Sequence, residues 1–136
     1  MDTNNANITE SMPRLKGTVL LADDSEMNQQ LIGTYLMKMG ANVAFAENGE
    51  IAVSLAKQTV FDLIYMDMQM PVMSGEDAVK KLRELNYKTP IVILTANATQ
   101  EDQDLCKEAG SDDFLTKPIM RETLYEMTAR YLPRAE

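Results

Sequence analysis

Five side chains with reactive or metal-binding chemistry stand where apolar runs stop. Asp23-Asp24 follow Val19-Leu20-Leu21-Ala22, and Asp67 follows Leu63-Ile64-Tyr65-Met66. Thr95 closes Ile91-Val92-Ile93-Leu94, and Lys117 follows Asp113-Phe114-Leu115-Thr116 and precedes Pro118. Two adjacent carboxylates beside a third repel one another unless a cation joins them. Mg²⁺ suits such a set, because it takes oxygen ligands from one or two carboxylates and completes its shell with water or phosphate. A carboxylate beside bound Mg²⁺ can attack a phosphoryl group in line and become an acyl phosphate. A threonine hydroxyl and a lysine ammonium nearby could hold the phosphoryl oxygens. Singly, each residue has a plainer reading: Asp23, Asp24 and Asp67 as helix caps, Thr95 as a strand-end threonine, Lys117 as a solvated cation.

The elements that position these residues follow from the pattern of the runs. Short, continuous apolar segments read as buried parallel strands. Strands are expected at Thr18–Ala22, Asn42–Ala46, Leu63–Met66, a segment opened by Thr89-Pro90 and ending at Thr95, and Asp113–Thr116. Helices are expected between them and after the last: 27–39 stopped by Gly40, 50–57 after Asn48-Gly49, 75–85 capped by Ser74, 99–109 closed by Gly110, and 121–131 ended by Pro133. Their inward stripes read as Leu31, Tyr35 and Met39; Ile51, Val53 and Leu55; and Ala78, Leu82 and Leu85. Strand and helix alternate five times, which predicts an α/β fold with a parallel sheet covered on both faces. In such sheets ligands bind outside the carboxyl ends of the strands, so all five polar side chains should meet in one pocket.

Length and composition bound the rest. At 136 residues one domain is expected, with residues 1–16 as a flexible polar leader, 17–132 as the domain and 133–136 as a tail. No second domain is expected. The net charge of -8 gives no footprint for nucleic acid and none for an anionic membrane. Cys106 is the sole cysteine, which excludes an internal disulfide and fits a reducing cytoplasm; a packing or surface role is expected for it. No histidine is present, which excludes Ser-His-Asp and Cys-His catalysis within the chain. No apolar run is long enough to span a membrane, and the first residues show no signal-peptide pattern.

Taken together, Asp23-Asp24, Asp67, Thr95 and Lys117-Pro118 resemble the receiver domain of two-component response regulators. Met66-Asp67-Met68-Gln69-Met70-Pro71-Val72-Met73-Ser74-Gly75, Ala46-Glu47-Asn48-Gly49 and Leu94-Thr95-Ala96-Asn97-Ala98 look most like receivers of hybrid sensor histidine kinases. The resemblance runs from about Gly17 to Leu132. It implies a flavodoxin-like, doubly wound (βα)5 fold, a five-stranded parallel sheet in the order 2-1-3-4-5 with helices on both faces. It also implies roles. Asp67 would accept a phosphoryl group from a partner phosphohistidine, supplied by a histidine kinase or a histidine phosphotransfer domain. Asp24, Asp67 and the Gln69 backbone carbonyl would bind Mg²⁺ directly, and Asp23 largely through water. Thr95, the Ala96 amide and Lys117 would hold the phosphoryl oxygens. Thr95 and Phe114 would switch the surface of helix four, strand five and helix five toward a downstream protein target. Gln69 and Asn97 match positions that tune dephosphorylation. Met27, Leu31 and Ile32 of the first helix, with Pro118-Ile119, are candidates for the donor-binding face. Self-phosphorylation and autodephosphorylation would be the only chemistry, carried out in the cytoplasm even where the parent protein is membrane-bound.

Other readings stay open on the residues. A phosphatase of the haloacid dehalogenase type shares the aspartyl phosphate but needs its Asp-x-Asp on the first strand. An FMN carrier needs a phosphate loop where this chain has Asp23-Asp24-Ser25-Glu26. Three settings stay open as well: a receiver within a hybrid kinase, a stand-alone regulator, and a degenerate receiver that only binds proteins.

Overall fold

The structure is a computed structural model and describes residues 12–135. Five strands, β1 (Thr18–Ala22), β2 (Asn42–Ala46), β3 (Leu63–Asp67), β4 (Ile91–Thr95) and β5 (Asp113–Thr116), form one sheet in the order β2-β1-β3-β4-β5. Every neighbouring pair is parallel. Five helices alternate with them: α1 (Glu26–Met39), α2 (Gly49–Gln58), α3 (Gly75–Glu84), α4 (Gln100–Ala109) and α5 (Arg121–Tyr131). The expected flavodoxin-like architecture is therefore the observed one.

Both sheet faces are covered, so the inner strands are apolar throughout rather than alternating. On β3, Leu63 and Tyr65 point to the core shared with Ile32 and Leu36 of α1 and Leu124 of α5. Ile64 and Met66 point to the core shared with Ala52 of α2, Val79 of α3 and Cys106 of α4. Cys106 is thus a core residue, and burial pushes its thiol pKa up. Ser25, Asn48, Ser74 and Thr99 cap α1 to α4 through their side chains, and left-handed Gly40 and Gly110 end α1 and α4. Asp23, Asp24 and Asp67 therefore serve as none of these caps.

Three helix faces differ from the expected stripes. α1 buries Ile32, Leu36 and Met39, leaving Leu31 exposed and Tyr35 half-buried. Two apolar stripes lie side by side on α1, and only one can point at the sheet. Gly33 lies on the buried side with Ile32 and Leu36, where a Cβ would come within 2.7 Å of the Phe45 ring on β2. α2 turns its small residues Ala52 and Ala56 inward with Val53, which leaves Ile51 and Leu55 on its shoulders. α3 buries Val79 with Ala78 and Leu82, while Leu85 lies past the helix end and is exposed.

The domain also reaches back beyond the boundary at Gly17. Leu15 is buried, its N–H donates to the Met39 carbonyl, and it forms an antiparallel bridge with Arg134. Residues 12–16 and 133–135 are thus tied to α1 and α5 rather than forming a loose leader and tail. Residues 1–11 of the expected leader lie outside the described residues.

Candidate functional site

The chain crosses over in opposite directions after β1 and β3, which opens a crevice at their carboxyl ends. Asp23 and Asp24 follow β1 and Asp67 ends β3, so the acids face one another across that switch point. Carboxylate oxygens from Asp23, Asp24 and Asp67 lie within 4.8 Å of one another. Thr95 ends β4 and Lys117 follows β5, which brings both to the same edge. Asp24, Asp67, Gln69, Thr95, Ala96 and Lys117 line one cavity of about 520 Å³.

Two of the three acids are inside the protein. Asp23 is fully buried and Asp67 nearly so, whereas Asp24 is exposed. The Lys117 ammonium lies 3.2 Å from Asp67 Oδ2 and 3.7 Å from Asp23 Oδ2. Asp23 Oδ1 accepts the Ser25 N–H at 2.9 Å, but Asp23 Oδ2 has no hydrogen-bond partner. Asp67 Oδ1 accepts only a long bond, 3.4 Å, from the Gln69 N–H. Burial and the neighbouring Asp23 charge push the Asp67 pKa above the usual carboxylate range, with Lys117 opposing them. One ammonium for three carboxylates leaves a net negative, oxygen-rich pocket with an unpartnered buried oxygen. That donor set fits a hard divalent cation.

The surrounding chain approaches closely enough to hold this geometry. A Cβ on Gly75 would lie 1.9 Å from the Asp67 carbonyl oxygen, so only glycine lets the start of α3 close against the end of β3. The Lys117–Pro118 peptide is cis. The Thr95 hydroxyl donates to the Asn97 carbonyl at 2.9 Å and accepts the Asn97 N–H at 3.2 Å, so it is held by its own loop. Phe114 stands apart from the cavity, half-buried against the core under α2, α3 and α4. Of the donor-face candidates, Met27 is 77% exposed and Leu31 partly so, but Ile32 and Ile119 are core residues. Glu76 and Asp102 also line the cavity. Sequence reasoning passed over both, although each sits in the first helical turn after a site-bearing strand.

This sheet and this acidic edge define a class in which a carboxylate and a cation site share the carboxyl ends of a doubly wound sheet. The family model for the response regulator receiver domain matches residues 19–129, and the chain belongs to that family. It is 39% identical to the histidine-protein kinase BarA of Escherichia coli K12 over 88% of this chain, and it spans only 13% of that relative. It is 37% identical to the rice two-component response regulator ORR41, over 88% of this chain and 98% of that one. Among solved structures it resembles the receiver domain of the sensor histidine kinase PA1611 from Pseudomonas aeruginosa, with magnesium coordinated in the active-site cleft. That match has a TM-score of 0.80 and 35% identity, and covers 85% and 97% of the two chains. The receiver of Saccharomyces cerevisiae Ssk1, solved with the histidine phosphotransfer protein Ypd1, gives a TM-score of 0.82 at 31% identity, covering 88% and 90%. Among the described residues no helix is long and apolar enough to cross a membrane.

Proposed function

We propose that Asp67 is the phosphoryl acceptor of a two-component phosphorelay. The observation that carries this reading is the convergence of three carboxylates and Lys117 at one sheet edge, with Asp67 buried yet lining the cavity. The donor is a phosphohistidine on a histidine kinase or a histidine phosphotransfer domain, a partner type supported by the Ypd1–Ssk1 complex. An Asp67 carboxylate oxygen forms the new P–O bond as the P–N bond breaks. The imidazole leaves with the bonding electron pair as a neutral ring, its other nitrogen carrying the proton. The Lys117 ammonium, the Ala96 N–H and the Thr95 hydroxyl donate to the phosphoryl oxygens, Thr95 after releasing the Asn97 carbonyl. Asp24, Asp67 and the Gln69 carbonyl, with Asp23 behind them, would hold Mg²⁺, whose charge would offset that of the transferred group. The metal-bound PA1611 receiver supports that assignment.

The new phosphoryl group adds roughly 1.5–2 negative charges and strong acceptors beside Thr95. Movement of Thr95 toward it vacates space into which Phe114 turns, and the surface of α4, β5 and α5 changes its affinity for a downstream target. Water then hydrolyses the acyl phosphate, and no other substrate turns over. The net charge of -8 favours protein partners over nucleic acid or membrane, and a cytoplasmic setting suits the reaction. The hybrid-kinase likeness favours a receiver within a larger sensor protein. The near-complete coverage of ORR41 favours a second reading, a single-domain regulator.

Incubation with Mg²⁺ and phosphoramidate, read by intact mass, tests the chemistry. One phosphoryl increment is expected, blocked by EDTA and absent in Asp67→Asn. Labelling that persists in Asp67→Asn, or no labelling at all, overturns the assignment.

A further inference from the structure

Asp24 is the least supported member of the acidic edge. Its side chain is exposed and makes no hydrogen bond or ion pair among the described residues. Lys117 and the Ser25 N–H steady Asp23, and Lys117 and the Gln69 N–H steady Asp67. With no side-chain partner, the reach of the Asp24 carboxylate depends on where the backbone places Asp24, and the peptide that joins it to Asp23 is part of that placement. The Asp23 N–H extends the β1–β2 ladder by donating to the Ala46 carbonyl, after which the chain leaves the sheet. The Asp23 carbonyl then has no strand to pair with, although its residue is fully buried.

Gln29 fills that gap. Its Nε2 donates to the Asp23 carbonyl at 2.6 Å, reaching back six residues from α1. Gln29 is itself anchored, since its backbone N–H donates to the Ser25 carbonyl. The Ser25 hydroxyl caps α1 through the Asn28 N–H. Among the described residues, the bond from the Gln29 side chain is the only one that holds the carbonyl of the Asp23–Asp24 peptide plane.

We propose that Gln29 is a positioning residue for the candidate magnesium centre, fixing the Asp23–Asp24 peptide so that the unsupported Asp24 carboxylate points at the other two acids. The proposal rests on the reading of Asp23, Asp24 and Asp67 as the metal-binding set. Groups that orient ligands without touching the metal commonly change affinity by about 10–100-fold when removed. Rigidity matters most for the smaller ion. Mg²⁺ demands near-octahedral geometry, whereas Ca²⁺ accepts irregular and flexible shells. Loosening this turn should therefore weaken Mg²⁺ much more than Ca²⁺.

The test is calorimetric titration of Mg²⁺ and of Ca²⁺ into wild type, Gln29→Met and Gln29→Glu, with thermal melts in EDTA alongside. Gln29→Met keeps length and loses the donor; Gln29→Glu loses the donor and turns an oxygen toward the carbonyl. The expected result is about a tenfold loss of Mg²⁺ affinity in both variants, with Ca²⁺ affinity changed by less than about threefold. Equal losses for the two ions, or a lower metal-free melting temperature with Mg²⁺ affinity intact, would show that Gln29 only satisfies a buried carbonyl. Unchanged Mg²⁺ affinity in both variants would overturn the proposal. Failure of wild type to bind Mg²⁺ would instead overturn the underlying metal assignment.

Discussion

The two edges of the sheet use acids and bases in opposite ways. At the amino-terminal edge, Arg83 donates to the Tyr87, Thr89 and Gly110 carbonyls and to Asp112 Oδ2. Asp112 Oδ2 also accepts the Ile91 N–H at 2.8 Å. One guanidinium thus joins the end of α3, the entry to β4 and the turn between α4 and β5, and each charge meets a partner. At the carboxyl-terminal edge three carboxylates converge, one ammonium reaches only Asp23 and Asp67, and a buried oxygen has no hydrogen bond. The first edge stabilises the fold. The second is left electrostatically incomplete, with a net negative charge of the kind that suits a hard cation.

Arg83→Met should lower stability by about 2–4 kcal/mol, because it strands partly buried carbonyls and the Asp112 carboxylate. Urea denaturation measures this, and labelling by phosphoramidate should change little in the folded variant. A loss below about 0.5 kcal/mol would mean that the amino-terminal edge is not the stabilising one.

The opposite sign is expected at Asp67. Its raised pKa means that the folded protein holds this proton more tightly than the unfolded chain does. Ionisation therefore opposes folding: metal-free stability falls as pH rises from the ordinary aspartate range through the raised pKa, and recovers as pH falls back. Asp67→Asn lacks this contribution to the pH slope and should be more stable than wild type at neutral pH by on the order of 1–2 kcal/mol. Denaturation in EDTA across pH 4–8 checks both the sign and the slope.

A smaller effect belongs to Val72, in the loop that carries β3 into α3. This β-branched residue has φ 69° and is 75% exposed. A left-handed backbone costs a bulky residue about 1–3 kcal/mol, and asparagine tolerates it better. Val72→Asn should stabilise by about 1 kcal/mol with little packing lost. Unchanged stability in chemical denaturation would remove strain from the description of the site loop.

Much of this was legible in the sequence because topology does the positioning. Once each apolar run is a parallel strand, Asp24, Asp67, Thr95 and Lys117 must share an edge, whatever the loops do. The strand spans needed only the runs, and β3 ran one residue longer than expected, taking Asp67 into the ladder. Helix rotation was misread for α1, where Leu31–Tyr35 and the more apolar Ile32–Leu36 lie side by side at helical spacing and the second pair is the buried one. The close approach of Gly33 to Phe45 joins elements whose pairing the periodicity does not encode. Leu15 was misplaced for a related reason, since its burial depends on Met39 and Arg134, far away in sequence. The role of Gln29 depends on a single side-chain bond to a backbone carbonyl, for which composition and spacing give no signal.

If the three acids hold Mg²⁺, the repulsion that weakens the metal-free site is the same feature that binds the ion. Melting wild type and Asp67→Asn side by side, in EDTA and in excess Mg²⁺, tests it most directly. In EDTA the variant should melt higher. Mg²⁺ at about 100 times its dissociation constant should stabilise wild type by about 2.7 kcal/mol and the variant far less, closing or reversing the gap. Equal shifts in both proteins, or a variant that melts lower without metal, would show that Asp67 is neither the source of the repulsion nor a ligand of the ion.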